Sequence, residues 1–191
     1  MTTAQHTSNS SDWHTPDWLV QASRKVLGGK IDYDPYSSQE ANVRILAECW
    51  DGPSRENNRP TVHHNVFCNP PSRMHKQAFR DIIENPFLID AIYIIFNIQQ
   101  LQVNQELLNY PMCIPSKRVS YVAGQGVIQY WKNKLLETED PKTRESLQKK
   151  IVKGAESPPH ASAILYIPNT RDNSTGFKNL FETFGKVINV P

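Results

Sequence analysis

The sequence predicts an α/β fold in which helices cover both faces of a largely buried sheet. Short strand-like runs alternate with helix-like segments along most of the 191 residues, the order typical of layered α/β domains. The run DAIYIIFNI, residues 90–98, is almost entirely apolar, as in strands buried on both faces of a parallel sheet. We therefore expect one domain over residues 12–191, after a polar, disordered tail over residues 1–11.

Composition and charge exclude several classes of protein. The formal net charge is only +2, so bulk charge does not indicate nucleic-acid binding. Cys49, Cys68 and Cys113 lie too far apart for a disulfide framework or a paired metal motif, which indicates reduced thiols in a cytoplasmic protein. The N-terminus lacks the features of a signal peptide, and no apolar run reaches the ~18 residues that span a membrane. We expect a cytoplasmic protein without membrane contact.

The first helix is predicted to follow DWHTP, residues 12–16. Thr15 suits the N-cap, Pro16 the first helical position and Asp17 the positive end of the helix. The pair Gly28–Gly29 is expected to end it.

The later elements are short and separated by polar turns. Strands are predicted over 30–35, 63–68, 90–98, 111–114, 118–122, 161–168 and 186–191. Helices are predicted over 37–50, 72–85, 99–109 and 177–185, and residues 51–62 are expected to form a polar loop. Ser37 or Ser38 is the expected cap of the helix over 37–50.

A basic segment interrupts this alternation and predicts a helical insert over about 125–154. Its composition is helical, with a break where Asp140 can cap a second helix that has Pro141 in its first position. Residues 132–153 include seven basic and four acidic side chains. Two interpretations remain open, a solvated helical hairpin and an arm that contacts nucleic acid.

The most informative stretch is NVFCNPPS, residues 65–72, where a buried strand ends at Asn69-Pro70-Pro71-Ser72. Neither proline can donate a backbone hydrogen bond, and each restricts its backbone. An exocyclic amino group of a base is a poor nucleophile, because its lone pair is delocalised into the ring. Two acceptors, the Asn69 side chain and the Pro70 carbonyl, could hold both N–H bonds and direct the lone pair at an electrophilic methyl group. Such a base must be unpaired or flipped out of its stack.

Other chemistries are less consistent with the same region. His63, His64, Cys68 and His75 lie close in sequence, but their spacing matches no standard zinc pattern, and neighbours on a strand point to opposite faces. We predict no metal site. Cys68 is expected to pack as a small apolar residue rather than act as a nucleophile.

Several motifs occur in an order that resembles the phage-type Dam-like DNA adenine-N6 methyltransferases. They are DWHTP at 12–16, IDYDP at 31–35, EAN at 40–42 and VFCNPP at 66–71. Later segments agree with the family too, namely DAIYIIFNIQQLQ, PMCIPSKRVSY and SPPHASAILYI. The resemblance covers about residues 12–190, apart from much of the helical insert.

The resemblance implies a Rossmann-like class I methyltransferase fold, a three-layer sandwich with a helical insert, in a bacterial or phage-infected cell. It implies S-adenosyl-L-methionine as the cofactor and DNA as the partner. The implied catalytic residues are Asn69, Pro70, Pro71 and Ser72. The implied cofactor-binding residues are Trp13, Thr15, Pro16, Asp34 and Pro35. Candidates for phosphate contacts are Lys117, Arg118, Lys132 and Lys134.

Ser72 departs from the family pattern, which has an aromatic residue that stacks on the flipped base. Stacking of a base on an aromatic ring is worth roughly 1–3 kcal/mol. Tyr36, Tyr130 or Trp131 could supply another ring. Two alternatives to DNA adenine methylation remain open. One is a catalytically silent relative that binds nucleic acid or a protein, and the other is methylation of an amino group on cytosine, RNA or protein.

Overall fold

The computed structural model describes residues 13–52, 59–156 and 160–189. The predicted tail over residues 1–11 and the middle of the predicted loop 51–62 lie outside these ranges. The strands are β1 (Trp13–His14), β2 (Tyr33–Asp34), β3 (Cys49–Trp50), β4 (His64–Cys68), β5 (Leu88–Ile95), β6 (Met112–Pro115), β7 (Tyr121–Ala123), β8 (Ala155–Glu156), β9 (Ala163–Pro168) and β10 (Gly185–Ile188). The α-helices are α1 (Asp17–Val26), α2 (Gln39–Ile45), α3 (His75–Ile83), α4 (Gln100–Val103), α5 (Gln125–Glu137), α6 (Pro141–Lys153) and α7 (Ser174–Phe181).

Within the described residues, the main sheet has seven strands in the order β10-β6-β9-β5-β4-β2-β3. Strands β3, β2, β4 and β5 run parallel, whereas β9 pairs antiparallel with both β5 and β6, and β10 pairs antiparallel with β6. The α/β prediction is confirmed, but the sheet is mixed. An apolar run that is buried on both faces has the same pattern whether its neighbours are parallel or antiparallel.

Two apolar clusters, one on each face of this sheet, form most of the core. Alternate residues of β5 contribute to each, with Ile92 and Ile94 on one face and Tyr93 and Ile95 on the other, as the two-residue period of a strand requires. Helices α1, α2 and α7 cover the first face. Helix α3 and a 3-10 segment over Gln105–Asn109 cover the second.

The start of α1 differs from the prediction. The helix begins at Asp17, and the residue at its N-cap is Pro16, which makes no side-chain capping bond. Thr15 lies one residue before the N-cap and does not cap the helix; its hydroxyl instead accepts a hydrogen bond from Asn69, 54 residues away. Before it lies β1, a two-residue strand that the sequence pattern did not indicate.

The predicted helix over 37–50 is shorter than expected. Ser38 caps α2 by accepting from the Ala41 N–H at 3.0 Å, and the helix stops at Leu46, whose backbone is left-handed with φ of 53°. The side chain of Asn42 bonds both the N–H and the carbonyl of Ala47. The chain continues from this turn into β3, so the prediction of helix for residues 46–50 was wrong.

Two other predicted helices contain 3-10 segments, one at its start and one in its second half. Residues Ser72–Met74 form a 3-10 turn before α3. The helix predicted over 99–109 is divided into α4 and the 3-10 segment Gln105–Asn109, with Asn104 in a non-helical conformation between them.

A second, smaller sheet carries the helical insert. Strands β1, β7 and β8 pair antiparallel in the order β1-β7-β8, and α5 and α6 form a hairpin between β7 and β8. The predicted break is confirmed, because Asp140 caps α6 by accepting from the Thr143 N–H at 2.9 Å. Trp131 of α5 packs edge-on against Trp13 of β1, with ring centroids 5.7 Å apart.

A buried ion pair joins β5 to the segment between β9 and α7. Asp90 is fully buried, and its Oδ2 accepts from Arg171 Nη2 at 2.7 Å and from the Tyr166 hydroxyl at 2.9 Å. Arg171 also reaches the carbonyl of Val26 at the end of α1. Three elements are therefore held around one carboxylate.

Within the described ranges, none of the helices is both long enough and apolar enough to cross a membrane.

Candidate ligand cavity at the strand-order reversal

The order of the parallel strands reverses between β2 and β4. From β2 the chain passes through α2 to β3 on one side, and then returns to β4 on the other side of β2. In open α/β sheets, ligands bind outside the carboxyl ends of the strands at such a reversal. The segments that leave these two ends are Asp34-Pro35-Tyr36 and Asn69-Pro70-Pro71.

A cavity of about 420 Å³ lies at this point, within the ~300–1,000 Å³ range of small-molecule sites. Among the predicted site residues, those that line it are Trp13, Thr15, Asp34, Pro35, Asn69, Pro70 and Pro71. Of the described candidates, Pro16 is not part of its wall. Three stretches that are distant in sequence therefore meet at one cavity.

Asn69 is fixed by its contact with the opening segment of the chain. Its Nδ2 donates to Thr15 Oγ1 at 3.0 Å, which leaves the amide oxygen without a partner among the described residues. The Pro71 carbonyl accepts from the Met74 N–H at 2.8 Å, whereas the Pro70 carbonyl accepts no hydrogen bond from any described residue. Two adjacent acceptors, Asn69 Oδ1 and the Pro70 carbonyl, are thus available to a ligand.

Several aromatic rings line the cavity. Tyr36 does so, together with Trp13, Phe96 and Tyr121. The other two rings proposed to replace an aromatic residue at position 72 lie elsewhere, since Tyr130 is 55% exposed on α5 and Trp131 is buried against Trp13. The backbone of Ser72 begins the 3-10 turn, but its side chain lies outside the described part of the structure. Sequence reasoning missed Phe96, because it continues an apolar run and looks like an ordinary core residue.

Asp34 is the buried acid of the cavity. It is 1% exposed, and Oδ1 accepts from the Tyr36 N–H at 3.0 Å. Burial raises the pKa of this carboxyl to about 7, and the hydrogen bonds from the Tyr36 N–H and the Ser37 side chain lower it only in part. No ion pair within the described residues includes Asp34. Its carboxyl group therefore supports the turn that it begins.

We expect Asp34→Asn to stabilise the folded protein above neutral pH. A folded-state pKa near 7 against 3.8 unfolded means that stability is lost as pH rises from about 4 through 7. Asparagine does not ionise, so it has no free-energy cost of burying a charge, and its amide oxygen can still accept from the Tyr36 N–H. The expected gain in free energy of unfolding is up to about 4 kcal/mol at pH 8 and near zero at pH 4. Urea denaturation at both pH values measures it, and an equal effect at both would contradict the assignment.

A second acid, Glu40, and two basic side chains, His14 and Arg73, also line the cavity. Glu40 Oε1 lies 3.3 Å from His14 Nε2 and accepts from the Gln125 N–H, the first of α5, at 3.1 Å. Sequence reasoning missed Glu40 because an acid in the first turn of a helix is usual there.

The four candidate phosphate contacts lie outside this cavity. Lys117 and Arg118 are exposed directly after β6, which runs in the same direction as β5, so they lie at the same edge of the sheet as the cavity. Lys132 and Lys134 are exposed on α5, and Lys134 is paired with Glu137 at 2.7 Å. Ion pairs also engage two further lysines of the hairpin. These pairs reduce the charge available to a phosphate backbone and favour a solvated hairpin.

A second cavity, of about 340 Å³, adjoins the first and shares Pro35 and Tyr36 with it. Its wall also carries the polar side chains of Asp51, Asp81 and Asn85. Comparison of the chain with protein-family models, with curated proteins and with solved structures finds no match.

Proposed function

We propose that this protein is an S-adenosyl-L-methionine-dependent DNA adenine-N6 methyltransferase of phage type, with a Rossmann-like three-layer fold and a helical insert. One observation carries the proposal. The motifs around Thr15, Asp34 and Asn69 line a single cavity at the strand-order reversal, although 54 residues separate the first from the last. A ligand site that is built from these three motifs is what the family resemblance predicts.

The acceptor chemistry rests on Asn69 and Pro70. When bound, the cofactor supplies a methyl group that is electrophilic because its sulfur is positively charged. The Asn69 amide oxygen and the Pro70 carbonyl would accept hydrogen bonds from the two N–H groups of the amino group and direct the nitrogen lone pair toward the methyl carbon. As the new N–C bond formed, the bond from the methyl carbon to sulfur would break with its electron pair going to sulfur, and the nitrogen would lose one proton to solvent. Thr15 fixes the amide by accepting from Nδ2. The two prolines keep the carbonyl in one direction, so little reorganisation is needed.

The chemistry of the cavity wall fits the cofactor. Glu40 supplies negative charge for a ligand with a net positive charge, Arg73 supplies positive charge for its carboxylate, and Asp34 supports the turn in the wall. A methyl transfer requires room for a donor and an acceptor at the same time, and the adjoining second cavity adds that room. Tyr36 and Phe96 offer ring faces for a flipped base, a role that does not depend on residue 72.

DNA contact is assigned to the cavity edge of the sheet. Lys117 and Arg118 lie there and are exposed, so they can reach the phosphates that flank a flipped nucleotide. Lys132 and Lys134 are expected to contribute less to phosphate binding, because Lys134 is already paired with Glu137.

The test is calorimetric titration with S-adenosylmethionine and with its demethylated product, followed by transfer of a labelled methyl group to DNA. We expect micromolar binding of both, weakened by Asp34→Ala because the turn over Asp34–Ser37 loses its support. Labelled adenine in DNA, but not in RNA or protein, supports the proposed substrate. No binding at millimolar cofactor would overturn the enzyme assignment and favour a silent relative that binds nucleic acid or a protein.

A further inference from the structure

The two acids of the cavity differ in what their oxygens contact. Asp34 is almost entirely buried, and its carboxyl group bonds the turn that follows it. The side chain of Glu40 is 48% exposed and lines the same cavity. A ligand can therefore reach the carboxylate of Glu40 more readily than that of Asp34.

Glu40 is held in place from two sides. The Gln125 N–H, at the positive end of the 13-residue helix α5, donates to Oε1 at 3.1 Å. His14 Nε2 lies 3.3 Å from the same oxygen. Both contacts use Oε1, and within the described residues Oε2 has no hydrogen bond. A carboxylate that is fixed through one oxygen presents the other to a ligand with little loss of side-chain freedom.

His14 provides an independent sign that this position is built for a ligand. It is 5% exposed and lines the cavity, yet Nε2 makes no well-aligned hydrogen bond. Buried polar atoms are nearly always hydrogen-bonded. The ring instead lies against the Glu40 carboxylate at ion-pair distance, where it supports the orientation of that group.

We propose that Glu40 binds the ammonium group of the amino-acid part of the ligand. We also propose that the helical insert orients the Glu40 side chain through the N–H at the start of α5. This assignment rests on the proposed function. An ammonium group has three N–H donors and a localised charge, so it forms charge-assisted hydrogen bonds to a carboxylate. A sulfonium has no N–H to donate, and the amino group of a base is neutral. Of the charged groups that such a ligand brings, the ammonium matches the free Oε2 best.

The experiment compares Glu40→Gln with Glu48→Gln, a control at an exposed acid outside the cavity wall. Each protein is titrated with S-adenosylmethionine, S-adenosylhomocysteine and methylthioadenosine. The first two carry the ammonium, and the third lacks the whole amino-acid part. For Glu40→Gln we expect about 10- to 100-fold weaker binding of the first two, as for a lost charged hydrogen bond, and unchanged binding of methylthioadenosine. Glu48→Gln should bind all three as the wild type does.

The outcomes separate this assignment from the proposed function. Wild-type protein that binds none of the three compounds overturns the proposed function itself. Wild-type binding with an unchanged Glu40→Gln variant overturns only the role of Glu40. A loss confined to S-adenosylmethionine would place Glu40 at the sulfonium instead. A loss that includes methylthioadenosine would show that Glu40 maintains the shape of the cavity.

The role of the insert has its own test at Gln125. This residue is the first of α5, a position where proline fits a helix, and the preceding Gly124 already has the extended conformation that proline requires. Gln125→Pro therefore removes the N–H that holds Glu40 and leaves the helix intact. We expect Gln125→Pro to bind S-adenosylmethionine about 3- to 10-fold more weakly with an unchanged melting temperature. Gln125→Ala should keep both the affinity and the melting temperature of the wild type. Equal affinities in the two variants would contradict this support.

Discussion

Asn69→Ala is expected to reduce methyl transfer to DNA by about 100- to 1,000-fold, the effect of removing one preorganised hydrogen-bonding group from a transition state. In the proposed mechanism the amide oxygen is one of the two acceptors that orient the amino group, and the other, the Pro70 carbonyl, is untouched by the change. Binding of S-adenosylmethionine should change less than about threefold, because the amide acts on the other substrate. Single-turnover transfer of the labelled methyl group measures the first quantity, and calorimetry the second.

Thr15→Val is the matched comparison for Asn69. It removes only the hydroxyl that accepts from Asn69 Nδ2, so the amide remains but is less well oriented. We expect a loss of about 10-fold in transfer rate, since a hydrogen bond of ordinary strength is removed. If Asn69→Ala weakened cofactor binding as much as it slowed transfer, the residue would be supporting the cavity rather than the amino group.

Arg171→Met is expected to lower the free energy of unfolding by about 3 kcal/mol, the lower end for breaking a buried ion pair. The lower end applies because the Arg171 side chain is 38% exposed, whereas Asp90 is fully buried. Burial already raises the pKa of Asp90, and Arg171 opposes that rise. Chemical denaturation at pH 7 measures the loss.

The control for Arg171 is the double variant Arg171→Met with Asp90→Asn. It leaves no uncompensated charge, and the asparagine oxygen can still accept from the Tyr166 hydroxyl, so we expect most of the loss to be recovered. The loss in free energy of unfolding caused by Arg171→Met alone should also increase from pH 5 to pH 8. Without Arg171 the pKa of Asp90 rises further, and a raised pKa stabilises the folded state at low pH and costs stability as pH increases. A pH-independent cost would refute this account.

Local signals predicted the parts of the fold that depend on neighbouring residues. The β5 run contains enough consecutive apolar residues to be read as a buried strand. Asp140 and Pro141 mark the start of α6 through the chemistry of a helix cap. The placement of Asn-Pro-Pro directly after β4 also follows from sequence, since a strand that ends in two prolines cannot continue its ladder.

Long-range contacts account for most of what the sequence did not predict. Thr15 is a residue type that often caps helices, but its hydroxyl accepts a hydrogen bond from Asn69, and no local pattern predicts that distant contact. Strand β3 has only two residues, too few for any period to be visible. The position of the Glu40 side chain depends on the α5 N-terminus, 85 residues beyond it, and on His14. The motifs predicted which segments meet at the cavity, whereas its charges required the structure.

The pairing of β1 with β7 has a consequence for how the protein is made. Trp13 and His14 pair with Ala123 and Val122, and β7 pairs in turn with β8 at residues 155–156. Synthesis proceeds from the N-terminus, and contacts between distant residues must wait until both have emerged from the ribosome. The first wall of the cavity to be translated therefore cannot take its place in the sheet until residues 122–123 have emerged.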